Sequence, residues 1–156
     1  MNPRVWAVNG KLAVSHVRGW TAAITRTQRS SRRYFQRPDA EHVEVDSSAT
    51  QLTGNFALLE AGKFSGNWRG ALFTNIRSPE LEVNDAGFQQ RADDINNALW
   101  FGHRSFKPGR VFRNPGVNWN LWYRTNFGGE KVGLGGNVNT NAQFPNYWNA
   151  WAGINY

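Results

Sequence analysis

The feature that most restricts the fold is a two-residue alternation running almost unbroken through residues 116–156. Val117, Trp119, Leu121, Tyr123, Thr125 and Phe127 share one face of an extended chain, and Asn118, Asn120, Trp122, Arg124 and Asn126 share the other. Gly128-Gly129-Glu130 then supplies a short turn, after which Val132, Leu134, Gly136, Val138, Thr140 and Ala142 oppose Lys131, Gly133, Gly135, Asn137, Asn139 and Asn141. Past Gln143–Asn146, where Pro145 breaks the pattern, Trp148, Ala150, Ala152, Ile154 and Tyr156 oppose Tyr147, Asn149, Trp151, Gly153 and Asn155. A helix cannot hold a period of two. The region is expected to be an antiparallel meander of three long amphipathic strands.

Alternation alone fits a soluble sandwich, whose strands average about five or six residues, as well as a membrane barrel, whose tilted strands need about ten. Strand length favours the barrel, and so does the polar face. It carries Asn and Gly where a solvent-facing sheet carries Lys and Glu, as a crowded wet interior would. The expectation is an all-β chain forming part of a transmembrane β-barrel in a bacterial outer membrane, complete or cut. Asn118, Asn120, Trp122, Arg124, Asn137 and Asn139 are then lumen-facing, as are Asn149 and Trp151. Trp68, Trp119 and Trp148 share faces with aliphatic residues and suit lipid contact or an interfacial girdle.

Upstream, Trp68–Ile76 alternates in the same way, and Asn97–Phe106 is a strand of less certain facing. Gly54–Lys63 and Gly19–Thr27 are further strand candidates. Val5–Val8 and Lys11–Val17 flank Asn9-Gly10, a tight-hairpin signal. The total comes to about eight or nine strands. They form a single segment over 1–156, with residues 28–50 and 78–96 as long loops.

Composition agrees and excludes some functions. Eight Trp, ten Phe and four Tyr beside sixteen Gly suit strands and turns, and the absence of Cys excludes disulfides and thiolate metal sites. The net charge of +7 raises the question of nucleic acid. The arginines are dispersed, however, with neither a basic helix face nor an RNA-binding sheet motif, so no nucleic-acid partner is expected. No apolar run approaches the ~20 residues of a membrane helix. Residues 1–20 lack the zones of an export signal, so the chain is expected to be a mature segment or a piece of a longer protein.

The loops hold the candidate sites. In Ser30–Asp39, Arg33, Arg37 and Asp39 offer anion or ion-pair chemistry, and Tyr34 and Phe35 offer rings for a sugar. The simpler alternative is a loop folded by its own arginines against Asp39, Glu41, Glu44 and Asp46. In the acidic loop, Asp85, Asp93 and Asp94 are candidate oxygen ligands for a divalent ion, although the spacing is not that of a calcium loop and bracing by Arg77 and Arg91 is the simpler account. No catalytic machinery is expected. His16, His42 and His103 are isolated, with no nucleophile elbow, zinc-protease helix or phosphate loop around them, and no cofactor is implied. The rival functions are a surface carbohydrate- or protein-binding barrel working through its long loops and a protein associated with a glycoside hydrolase.

Several blocks resemble the bacterial barrel family called domain of unknown function 5916. They are Arg33-Tyr34-Phe35-Gln36-Arg37-Pro38-Asp39-Ala40, Glu82-Val83-Asn84-Asp85-Ala86-Gly87-Phe88 with Arg91-Ala92-Asp93, and Pro108-Gly109-Arg110-Val111-Phe112-Arg113-Asn114. The end from Gly135-Gly136-Asn137-Val138-Asn139 to Asn146-Tyr147-Trp148-Asn149 is similar too, so the resemblance runs in order from about residue 30 to 156. It implies a location in the Gram-negative outer membrane, with lipid as one partner and a glycan or an envelope protein as a further one. Members carry a sugar-binding-like module of the family-9 carbohydrate-binding type ahead of a larger barrel. No such module stands in these residues, which therefore resemble an internal part of the barrel, and the resemblance carries over no catalytic residues.

Overall fold

The structure, a computed structural model, describes residues 5–156 except Asp39 and Asp85. Seven strands form one sheet: β1 (Trp6–Arg18), β2 (Gln51–Lys63), β3 (Trp68–Arg77), β4 (Asp94–Arg104), β5 (Gly116–Thr125), β6 (Lys131–Gln143) and β7 (Asn149–Asn155). Each pairs antiparallel with the next in chain order, and β1 and β7 are the two edges of an open sheet. One helix, α1 (Thr21–Gln28), stands between β1 and β2. No helix among the described residues is long and apolar enough to cross a membrane, which says nothing of strands.

The register carries the alternation across the whole sheet. Leu59, Leu72, Leu99, Leu121 and Gly136 fall in one lateral band of one face, joined through the pairs Leu59↔Thr74, Leu72↔Leu99 and Leu121↔Gly136. On the opposite face Asn75 pairs with Asn96, Asn96 with Arg124, Trp100 with Asn120, Asn120 with Asn137 and Asn118 with Asn139. Hereafter these are the apolar and the polar face. On the apolar face the formal charges stand at strand ends, at Arg18 and Lys63, while Leu12, Leu72 and Ile154 remain more than half exposed. No second layer of the described residues covers that face.

The connections are unequal. Residues 64–67, 105–115 and 144–148 join strands at one end, and residues 19–50, 78–93 and 126–130 join them at the other. Most of the buried apolar residues, among them Ile24, Phe35, Ala40, Val43, Leu81 and Ala92, belong to this second set of loops. The molecule's core lies where loops pack on one another and on the polar face, not between sheets. Residues 78–93 fold inward over β1 and β2. The Ser15 hydroxyl accepts a hydrogen bond from the Glu82 amide (2.9 Å), and a Cβ built on Gly54 would stand only 2.2 Å from the Leu81 nitrogen. Gly54 is needed because backbone lies directly on backbone there.

Three expectations are corrected. Asn9-Gly10 makes no hairpin, since both residues lie inside β1 opposite Glu60 and Leu59. A continuous ladder from Trp6 to Arg18 supplies far more backbone hydrogen bonds than a local turn, and Asn9 Nδ2 donates to Glu60 Oε2 across it (2.9 Å). Gly19–Thr27 is not a strand, because Thr21–Gln28 is helical. Its Ile24 and Gln28, four residues apart, are the buried pair of a helical face, and Ala22 and Ala23 favour the helix. The strand count is therefore seven among the described residues, not eight or nine. Two boundaries also move. Asp94–Asn96 belong to β4 rather than to a loop, and Asn126 and Phe127 belong to the β5–β6 turn. There Asn126 closes the turn with hydrogen bonds to and from Glu130, and Gly129 takes a positive φ of 85°.

Replacing Gly54 by Ala is expected to cost about 1–3 kcal/mol, the scale of overpacking, and to lift residues 78–93 from the sheet. Limited proteolysis within 78–93 reads this out, with Gly87→Ala as control because no atom lies within 4 Å of a Cβ there.

Candidate functional site

Two regions hold the residues of interest, namely the interlocked loops at one end of the sheet and the polar face below them. In the loops, Arg33 is almost fully buried, donates to the Leu81 carbonyl and forms an ion pair with Glu82 (2.8 Å). Arg32 Nε donates to the Gln89 carbonyl (2.6 Å), and the Arg32 carbonyl accepts from the Ala92 amide (2.9 Å). Gln89, also buried, bridges its own loop by donating to the Leu81 carbonyl and accepting from the Val83 amide. Asp93 joins all three loops. Its carboxylate pairs with Arg37, lies 2.9 Å from His42 Nε2 and accepts from the Phe127 amide (2.9 Å).

Two arginines of the first loop, Arg33 and Arg37, thus reach acids of the second, Glu82 and Asp93. Asp46 instead accepts from Ser48 and exchanges backbone hydrogen bonds with the side chain of Gln28. Phe35 packs in a small cluster with Ala40, Val43 and Val45, and Tyr34 is half exposed. Among the sugar- or anion-contact candidates, Arg33 and Phe35 are therefore committed inside the loops, Arg37 is held by Asp93, and Tyr34 presents its ring outward. Asp39 lies outside the described residues.

Of the candidate metal ligands, Asp85 also lies outside the described residues, Asp93 is engaged as above, and Asp94 is bound on both sides. Asp94 Oδ1 accepts from Arg124 Nε (2.8 Å), and Asp94 Oδ2 lies 3.2 Å from Arg77 Nη1. Among the described residues no group of three or more His, Asp or Glu side chains is placed to hold a metal ion.

Burial acts on the Arg33–Glu82 pair from both sides. It lowers the Arg33 pKa below the ordinary range against the opposing pull of Glu82. Burial also pushes the Glu82 carboxyl up, but hydrogen bonds from Asn84 and the Arg33 charge outweigh it and hold Glu82 below its usual value of 4.5.

The register gathers the lumen candidates on one face. Asn118, Asn120, Trp122 and Arg124 of β5 stand beside Asn137 and Asn139 of β6, and the pairs Asn141↔Trp151 and Gln143↔Asn149 add Trp151 and Asn149 from β7. Their amides form a chain. Trp100 Nε1 donates to Asn118 Oδ1 (3.1 Å), Asn118 Nδ2 to Asn139 Oδ1 (3.0 Å), and Asn139 Nδ2 and Asn120 Nδ2 both to Asn137 Oδ1 (3.0 and 2.7 Å). Trp100, Phe73, Asn75 and Asn96 complete this face but were not singled out from the sequence. The signal was present in β4, where Ala98, Trp100 and Gly102 alternate with Leu99, Phe101 and His103, yet both sets contain an aromatic and give little contrast.

The family model described as Domain of unknown function (DUF5916) matches residues 9–156 of the chain. No curated protein and no solved structure matches it.

Because the folded-state pKa of Glu82 is depressed, its contribution is fully present above the unfolded value and is lost as pH falls through the folded one. Cleavage within 78–93 is therefore expected to accelerate below about pH 4.5. Glu82→Gln, measured over the same range, is expected to lose that part of the pH dependence and to be cleaved faster at pH 7.

Proposed function

The chain belongs to the DUF5916 family, and from the contrast between its two faces we propose that it forms part of the wall of a bacterial outer-membrane β-barrel. The apolar face meets lipid and the asparagine-rich face lines the interior. The observation that carries this reading is the bare apolar face. A sheet with one apolar face must bury it against something, and no described residue does so here. Each large apolar side chain left in water forgoes about 1.5–3 kcal/mol, so about ten of them forgo more than the whole ~5–15 kcal/mol that stabilises an ordinary domain.

Dimensions and edge decoration support the same reading. The ten-residue strands β3 and β5 reach roughly 33 Å at ~3.3 Å per residue, or about 25 Å of height when tilted by ~40°, which matches the apolar band of such barrels. At the end of short connections the apolar face carries a row of rings. Trp68 stacks on Phe101 at 5.3 Å, and Phe101 lies 5.7 Å from Trp119. A row of this kind suits the interface between lipid tails and water. The larger loops stand at the opposite end, as outer-membrane barrels place their extracellular loops. Because β1 and β7 each pair on one side only, the seven strands form an open stretch of wall rather than a closed barrel. The loops then brace one mouth of the barrel. No catalytic step is assigned to them.

The protein is expected to fractionate with outer membranes and to need detergent for solubility, and recovery as a soluble monomer without detergent would refute the reading. Within the wall, Leu121→Arg in the middle of the apolar face should cost about 2–4 kcal/mol in lipid, whereas an Arg at Trp151 on the polar face should cost far less. Denaturant titrations of the two variants in lipid vesicles measure the difference.

A further inference from the structure

The polar face carries a feature that wall-building does not require. A cleft of about 420 Å³ opens across β3–β6, with Phe73, Ala98, Trp100 and Trp122 among its lining residues. The small Ala98 side chain, opposite Trp122 in register, leaves the space. The Trp122 indole lies on Gly135, since a Cβ there would come within 2.6 Å of its ring. Part of the ring is thereby held against a glycine backbone. Gly102 does the same for Trp100, with 3.2 Å to the place of a Cβ.

The amide chain ends at this cleft. Asn118 accepts from Trp100 and donates to Asn139, and Asn139 donates to Asn137. At the cleft wall Asn120 Nδ2 and Asn137 Oδ1 satisfy each other, which leaves Asn120 Oδ1 as an acceptor and Asn137 Nδ2 as a donor with no partner among the described residues. The Trp122 indole N–H is a second such donor. Asn96, another lining residue, holds a buried Oδ1 without a hydrogen bond, a state that costs about 1–3 kcal/mol and is kept where something offsets it. Of the nearby charges, Asp94 sits between Arg77 and Arg124, while the Arg69 guanidinium lies 5.8 Å from the Trp100 ring centroid and keeps a buried Nε with no hydrogen-bond partner among the described residues.

We propose that the cleft between Trp100 and Trp122 on the polar face is a binding subsite for a neutral saccharide. Flat aromatic faces take the C–H faces of a sugar ring, and paired amide donors and acceptors take its hydroxyls. The Arg69 guanidinium beside Trp100 adds a further donor for such hydroxyls. On the barrel reading this subsite lies inside the lumen, but its chemistry depends only on the polar face, so it can be tested whichever phase the protein is purified from.

The test titrates the full-length gene product with the neutral α-1,4-glucan, β-1,4-glucan, β-1,4-xylan and β-1,4-N-acetylglucosamine hexasaccharides, following tryptophan emission and heat. At least one is expected to bind saturably. Trp122→Ala should weaken that binding by about tenfold or more, the scale of losing a stacked ring and its donor. Ala98→Leu should do the same by filling the cleft while both rings remain, and it carries the test if Trp122→Ala fails to fold. Trp151→Ala, on the same face but outside the cleft, should stay within about twofold of wild type. Absence of saturable binding with all of the sugars, or wild-type affinity in a folded Trp122→Ala or Ala98→Leu variant, overturns the proposal. Neither result bears on membrane fractionation, so the two readings fail separately.

Discussion

Everything in this molecule is arranged around a sheet one layer thick whose apolar face is left uncovered. In a soluble domain that face would select a partner layer, and the chain would spend its loops and helix on covering it. Here the helix and the long loops turn the other way. Ile24, Phe35 and Val43 bury themselves among loop residues, and Leu81 lies against Gly54 on the polar face. The hydrophobic residues of the strands and those of the loops therefore serve different environments. The sheet is ordered chiefly by its backbone ladders and cross-strand pairs.

The polar face has to solve the opposite problem, since amide and guanidinium groups crowded on one surface must find partners. The strands do this laterally. The asparagines of β5 donate to those of β6, and Asp94 on β4 holds Arg77 of β3 and Arg124 of β5 on either side. Each link ties neighbouring strands together in a fixed register, and a slip of one residue would break the amide chain and exchange the two faces at once. Charged and amide side chains here specify the alignment that the leucines and valines of the other face also require.

The fold was legible where one physical signal acted alone. Alternation between strongly unlike residues located β3, β5, β6 and β7 and gave the facing of their side chains, because strand geometry leaves a side chain only two directions. It failed where signals competed. Asn9-Gly10 carries turn chemistry, but thirteen residues of β1 paired with β2 override it. Residues 19–27 contain Trp20, Ile24 and three threonines, which read as strand until helix packing decides otherwise. The loop site was legible as charge, and the expected brace Arg77 does meet Asp94. That Arg33 would meet Glu82, and Arg37 meet Asp93, depends on residues some fifty positions apart being brought together by the folding of residues 78–93 over β1 and β2. No local pattern encodes such a distance. Trp100 was missed for a different reason, since its strand has rings on both faces.

Asp93 and Asp94 link the two halves of the structure. Adjacent residues of a regular strand point to opposite faces, so two consecutive carboxylates would ordinarily serve opposite sides of the sheet. Asp93 instead adopts a positive φ of 52°, a left-handed conformation that Asp tolerates better than most side chains and that still costs of order 1 kcal/mol. The twist sends its carboxylate up among the loops to Arg37, His42 and the Phe127 amide, while Asp94 enters β4 and turns to Arg77 and Arg124 on the polar face. Glycine would take the same backbone more easily but would bring no carboxylate. The strained residue is held because contacts from two other loops over-determine its position, and through that one backbone turn the ion pairs of the loops and those of the strands become parts of a single network.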